Sequence, residues 1–118
     1  MLVILSPSKT QNFSAYSFRG STNPRFKKQT NEIVAILKNM NKDEIFSFMS
    51  ISQKLGIETY RNIQKFQNNP SNGITKQAIF AYTGEVFNKI NPQSFNGDEL
   101  NFCQSHFRIL SGVYGVLR

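Results

Sequence analysis

The spacing of hydrophobic positions changes several times along the chain, and each change marks an element. Leu2 to Leu5 is an unbroken apolar run that stops at Ser6-Pro7, which predicts a short buried strand. From Ser6 to Arg25 the chain is polar, with Ser, Asn, Gly and Pro scattered through it, and a long loop is predicted. Ile33, Ile36, Leu37 and Met40 then recur at i, i+3, i+4 and i+7. That spacing predicts a helix from Pro24 or Arg25 to Met40, with Ile36 on its apolar face and Pro24 in its first turn. Asn41 is placed to cap a second helix over 42–49, with Asp43 and Glu44 suited to its first turn and Ile45, Phe46 and Met49 inward.

Ile51 to Phe66 reads as a short helix, a tight turn at Leu55-Gly56, and a longer helix whose inner face holds Ile57, Tyr60 and Ile63. Asn68 to Gly73 is a loop by composition. Gln77 to Tyr82 suits either strand or helix, and Gly84 to Ile90 reads as helix with Val86, Phe87 and Ile90 together. After a loop from Pro92 to Asp98, a helix over 99–107 aligns Leu100, Cys103 and Phe107. A strand over 108–111 and a glycine-punctuated turn or strand over 112–118 follow. The fold class is therefore mixed α/β, mostly helical with a few short strands. The chain stops inside an apolar run, which predicts the N-terminal part of a larger domain.

Composition narrows the partners. At 118 residues, with 39% hydrophobic and 13% aromatic positions, the chain can build one packed domain and is not a disordered segment. Fourteen Lys and Arg against seven Asp and Glu give a net charge of +7. Such a surface suits an anionic partner: nucleic acid, an anionic membrane or a phosphorylated ligand. Lys9, Arg19, Arg25, Lys27 and Lys28 all precede the first acid, Glu32. A single cysteine, Cys103, allows no internal disulfide and no thiolate zinc site. The apolar start is too short for a signal peptide or a membrane span.

Four segments carry a family likeness. Residues 2–10, LVILSPSKT, resemble the "LIxISPAKT" start of the YaaA family, the peroxide stress resistance proteins of bacteria. Residues 49–55, MSISQKL, are similar to that family's "LMxISxKLA" segment, and residues 77–87, QAIFAYTGEVF, to its "QAIxAFxGDVY" segment. Residues 106–118, HFRILSGVYGVLR, resemble its "HLRxLSGLYGVLR" block. The order and spacing also agree, and the likeness covers about the first half of a family member. It implies a cytoplasmic protein of unusual α/β fold with a basic cleft and a helix-hairpin-helix. It further implies resistance to hydrogen peroxide, an association with limiting intracellular iron, and DNA binding.

Two segments are candidate sites. In a helix-hairpin-helix, backbone N–H groups at the start of the second helix face a DNA phosphate. Gly56 and Ile57 would form that start, and Lys54, Arg61 and Lys65 would add sequence-independent phosphate contacts. Glu58 stands where the usual motif has a second glycine. Arg108 is a further candidate for the basic surface. The second site is the loop after the first strand, where Ser6, Ser8, Lys9 and Thr10 offer hydroxyls and an ammonium to a phosphate. Ser6-x-x-Lys9 also has the spacing of a serine nucleophile and its lysine, but the partner motifs of such enzymes are missing. Cys103 and His106 make at most half of a metal site and read as a core cysteine beside a half-buried histidine. Phe80, Tyr82 and Tyr114 read as core rather than as base-stacking platforms. Asp98 and Glu99 read as a helix start rather than an acid–base pair.

No catalytic residue, cofactor or metal is expected from these residues. The first reading is a DNA-binding stress-response protein. The alternatives are a phosphate or small-molecule binder, or an enzyme, using the Ser6–Thr10 loop, and a truncated, nonfunctional fragment.

Overall fold

A computed structural model describes residues 1–14, 20–67 and 75–118. The loop expected over 68–73 and Arg19 lie outside the described residues. The chain divides into two compact units, Met1–Arg25 with Ile74–Arg118, and Phe26–Gly73.

The first unit is built on a three-stranded sheet in the order β1 (Val3–Leu5), β2 (Phe107–Ser111), β3 (Gly115–Leu117). β1 and β2 are parallel, with Val3 opposite Phe107 and Leu5 opposite Ile109. β2 and β3 are antiparallel, with Ile109 opposite Leu117 and Leu110 opposite Val116. Side chains alternate across a strand, so Leu5, Ile109 and Leu117 share one face. That face packs on Tyr82, Phe87 and Ala78 to form the core of this unit. The helices below it are short: α4 (Ala78–Ala81) and α5 (Glu85–Ile90), then a 3-10 turn (Pro92–Ser94) and α6 (Gly97–His106). The sequence suited either state at 77–82. The backbone resolves it as one helical turn, after which Tyr82 makes a lone antiparallel bridge to Gln11.

The expected first strand is corrected in one respect. It is covered on one face only, and Ile4 is 60% exposed. Phe107 leaves the helix assigned to it and opens β2. Val86, expected inside with Phe87, faces solvent.

The second unit holds three helices: α1 (Lys27–Asn39), α2 (Lys42–Met49) and α3 (Gln53–Lys65). α3 packs against both of the others. The inward stripe of α1 runs through Thr30, Val34 and Leu37, all buried, while Ile36 is exposed. Apolar spacing alone admits a face centred on Ile36 or on Val34, and packing against α3 selects the latter. Asn41 caps α2 in a full capping box with Glu44, as the sequence predicts.

The helix–turn–helix expected over 51–66 is not formed as such. α3 runs without a break through Leu55, Gly56 and Ile57. The reversal comes earlier, at Ser50-Ile51-Ser52, where Ser50 adopts the left-handed conformation at φ 49°. The Ser52 side chain then caps α3 by accepting from the Leu55 N–H. Gly56 serves a different end: it is buried, and a Cβ there would run into the ring of Phe46 on α2. The glycine is a point of close helix approach, not a turn.

Gly56→Ala therefore trades a gain in helix propensity of about 1 kcal/mol against an overpacking cost of about 1–3 kcal/mol. A net destabilisation of up to about 2 kcal/mol is expected in urea denaturation. A variant more stable than the parent would show that Phe46 moves aside at no cost.

Candidate functional site

The loop after β1 is braced rather than loose. It lies along the segment that links α4 and α5: the Asn12 N–H donates to the Ala81 carbonyl at 2.8 Å, and the Thr83 N–H to the Thr10 carbonyl at 3.1 Å. Lys76 Nζ donates to the Asn12 carbonyl at 3.0 Å, and Gln77 Nε2 to the Gly20 carbonyl at 2.8 Å. Three hydroxyls are thereby brought together. Ser8 Oγ lies 3.0 Å from Thr10 Oγ1, and the Thr83 hydroxyl donates to Thr10 Oγ1 at 2.9 Å. The Thr10 N–H donates to Ser8 Oγ at 3.1 Å. Gly84, at φ +114°, lets the chain turn into α5 close to Ser8; a Cβ there would sit 3.0 Å from Ser8 Oγ and in a strained backbone conformation. Ser6, Lys9 and Thr10 are exposed and Ser8 is half-buried.

Thr83 is the member of this cluster that sequence reasoning missed. Its signal was the Thr-Gly pair before an amphipathic run, which reads first as a helix start. The turn after β2 lies at the carboxyl end of the same parallel pair, where open sheets place ligands. There Ser111 Oγ accepts from the Val113 and Tyr114 N–H groups at 3.3 and 3.1 Å. Ser111 also hydrogen-bonds the Tyr82 phenol.

The second candidate surface lies on α3. Lys54, Arg61 and Lys65 fall at i, i+7 and i+11, and all three are exposed. An unbroken helix sets them in one stripe about 16 Å long. Glu58 is exposed within it. Gly56 and Ile57 are in the helix interior, so their N–H groups bond within the helix and are not offered to a phosphate. The first-turn N–H groups of α3 belong to Gln53, Lys54 and Leu55 instead, and no acidic side chain occupies that turn.

Arg108 is not beside that stripe in sequence or unit: it lies on β2 in the first unit. Its guanidinium donates to the Gln104 carbonyl at 3.0 Å and the Phe107 carbonyl at 2.6 Å, closing the end of α6. Cys103 and Phe80 are buried, and so is Tyr82, which stacks obliquely on Phe87 with centroids 5.5 Å apart. His106 is half-buried, donates from Nδ1–H to the Phe102 carbonyl at 2.8 Å, and stacks on the Phe102 ring. Asp98 and Glu99 open α6, where Glu99 completes a capping box with Asn96. Among the described residues no group of three His, Cys, Asp or Glu is placed to hold a metal ion. No described helix is long and apolar enough to cross a membrane.

Burial pushes the Cys103 thiol above its ordinary value, and the Glu99 charge adds to the shift. A thiol held in its neutral form is a poor nucleophile and a poor peroxide sensor. Burial also raises the Tyr82 phenol, against a smaller lowering by the Ser111 hydrogen bond. Tyr114 is raised by burial and then by its neighbour Tyr82.

A basic chain of mixed α/β fold, with a lysine–arginine helix and a hydroxyl-lined loop at the end of a parallel strand pair, is the class these features define. Comparison with known proteins makes it specific. A family model described as peroxide stress protein YaaA matches residues 1–118, and the chain belongs to that family. A UPF0246 protein of Rickettsia bellii is 44% identical over 119 residues, covering 100% of this chain and 46% of the relative. UPF0246 proteins of Parabacteroides distasonis and Acaryochloris marina are 40% and 36% identical, with 46% and 47% of those relatives covered. The chain thus spans about half the length of the curated relatives it matches.

The raised phenols and thiol fix the sign of an alkaline effect. Each group holds its proton more tightly in the folded chain, so its stabilisation is complete below its unfolded pKa and is lost as pH rises through the folded value. Stability is expected to fall from about pH 8.5 for Cys103 and from about pH 10 for Tyr82 and Tyr114. Urea denaturation at pH 7 and pH 10.5 measures it, and Tyr82→Phe should flatten the fall. Stability that is flat or rising over that interval would contradict the burial of these groups.

Proposed function

We propose that this chain forms part of a cytoplasmic peroxide stress protein that binds DNA without sequence preference, in a process tied to limiting intracellular iron. The observation that carries the reading is the exposed Lys54, Arg61 and Lys65 stripe on α3. Supporting it are the net charge of +7 and a first turn of α3 that carries no acidic side chain and follows a three-residue reversal from α2. Helix N-termini attract phosphate, and lysines and arginine along the helix would each neutralise a backbone charge. Glu58 opposes one contact, so the stripe suits the phosphate backbone at its two ends better than at its middle. No residue of this chain is assigned to iron.

A second reading rests on the Ser8–Thr10–Thr83 hydroxyl cluster, which with Lys9 suits a small phosphorylated ligand better than a duplex. One experiment separates the two. Fluorescence anisotropy of a labelled duplex is titrated with the chain at several salt concentrations, in parallel with K54E/R61E/K65E. The DNA reading expects saturable binding that weakens with salt, and a loss of about 2.7 from the log–log slope in the variant, 0.9 for each contact. Parent and variant binding alike, or no binding by folded parent at low salt, would sink it. The Lys9 loop would then be the place to look.

A further inference from the structure

The three strands leave one face of the sheet bare. Residues paired across strands point to the same side, so Ile4, Arg108, Leu110 and Val116 share the face opposite the core, with Leu2 continuing it. Ile4 is 60% exposed, Leu2 57%, Leu110 47% and Val116 39%. The other face is closed by Tyr82 and Phe87. Among the described residues, other exposed apolar side chains lie on helices, as Ile36, Phe48 and Val86 do, or outside them, as Phe13 and Phe26 do. Here they are neighbours fixed by strand register. A parallel strand pair is ordinarily buried on both faces, and a contiguous apolar patch on a soluble surface marks a contact site.

We infer that this sheet face is a docking surface for the polypeptide that makes up the remaining half of the family domain, whether joined to this chain or supplied separately. The occupant follows from the relatives: they align with this chain end to end, yet 54% of the Rickettsia bellii protein (100 − 46) has no counterpart here. A half-domain that closes one face of its sheet and exposes aliphatic side chains on the other requires an apolar layer from the other half. Arg108 sets the polarity of the contact. It stands opposite Ile4 on that face, and its guanidinium is already engaged by the Gln104 and Phe107 carbonyls. The inference stands independently of DNA binding, which involves the other unit.

The test uses thiol labelling at the centre of the face. Leu110→Cys is made in this chain and in a fusion of this chain, through Arg118, to the unmatched segment of the Rickettsia bellii relative. Cys103 is buried, so the parent provides the labelling blank. Asn88→Cys, at an exposed helical position of the same unit, is the control. Maleimide should label Leu110→Cys rapidly in the chain alone and at least tenfold more slowly in the fusion, with Asn88→Cys fast in both. Equal rates at Leu110→Cys would overturn the proposal, as would slowing at both positions. So would protection already present in the chain alone that deepens with concentration alongside a dimeric mass, since the occupant would then be a second copy.

Discussion

Everything in the first unit depends on the parallel pairing of β1 with β2. It joins Val3 to Phe107 across almost the whole chain. Closing a loop of that length costs roughly 4 kcal/mol of chain entropy before any contact is made. Three paired residues on β1 do not offset that by hydrogen bonds alone, at about 1 kcal/mol net each. The closure is held by what β2 carries on its inner side. Ile109 sits between Leu5 and Leu117 and is pressed on Tyr82 and Phe87. The Ser8–Thr10–Thr83 cluster exists only because this pairing delivers the Ser6–Thr10 loop to the start of α5.

The sequence makes helices with strong caps legible. Asn41 and Asn96 are each followed three residues on by Glu, and both form complete capping boxes. The sign of the burial at Phe80, Tyr82 and Cys103 is equally legible, because apolar context at those positions has one common meaning. Gly56 is not. A glycine between two amphipathic runs reads as a turn, and here it marks the place where Phe46 meets the α3 backbone. Both uses rest on the missing Cβ, one through backbone freedom and the other through volume, and only the neighbouring helix distinguishes them. Ile36 fails for a related reason: two overlapping faces of α1 are apolar enough, and α3 decides between them.

This bears on the candidate sites unevenly. Losing the turn at Leu55-Gly56 removes Gly56 and Ile57 from any phosphate contact, since interior helix amides are already bonded. The same change aligns Lys54, Arg61 and Lys65, which a break at Gly56 would have splayed. The loop residues Ser8 and Thr10 were readable from their place after an apolar run. Thr83 was not, since nothing local in sequence joins it to Thr10 across 73 positions. Arg108 reads as part of a basic surface from its place in the family-like block 106–118, yet its partners are carbonyls at the end of α6, so its charge is engaged in holding the α6–β2 junction.

The two exposed surfaces obey different physics. A stripe of lysine and arginine attracts over distances set by ionic screening, about 10 Å at 0.1 M salt, and releases its partner as salt rises. A bare sheet of Ile4, Leu110 and Val116 acts only on contact, and salts that favour burial strengthen it. A chain with +7 net charge repels its own copies at long range, which opposes self-association through the apolar face at low salt. A covalently joined second half would not face that barrier, because the sheet and its proposed cover would then share one polypeptide at high effective concentration. Charge and apolar exposure in this sequence are therefore compatible. The first keeps separate molecules apart, and the second would favour a partner joined to the same chain.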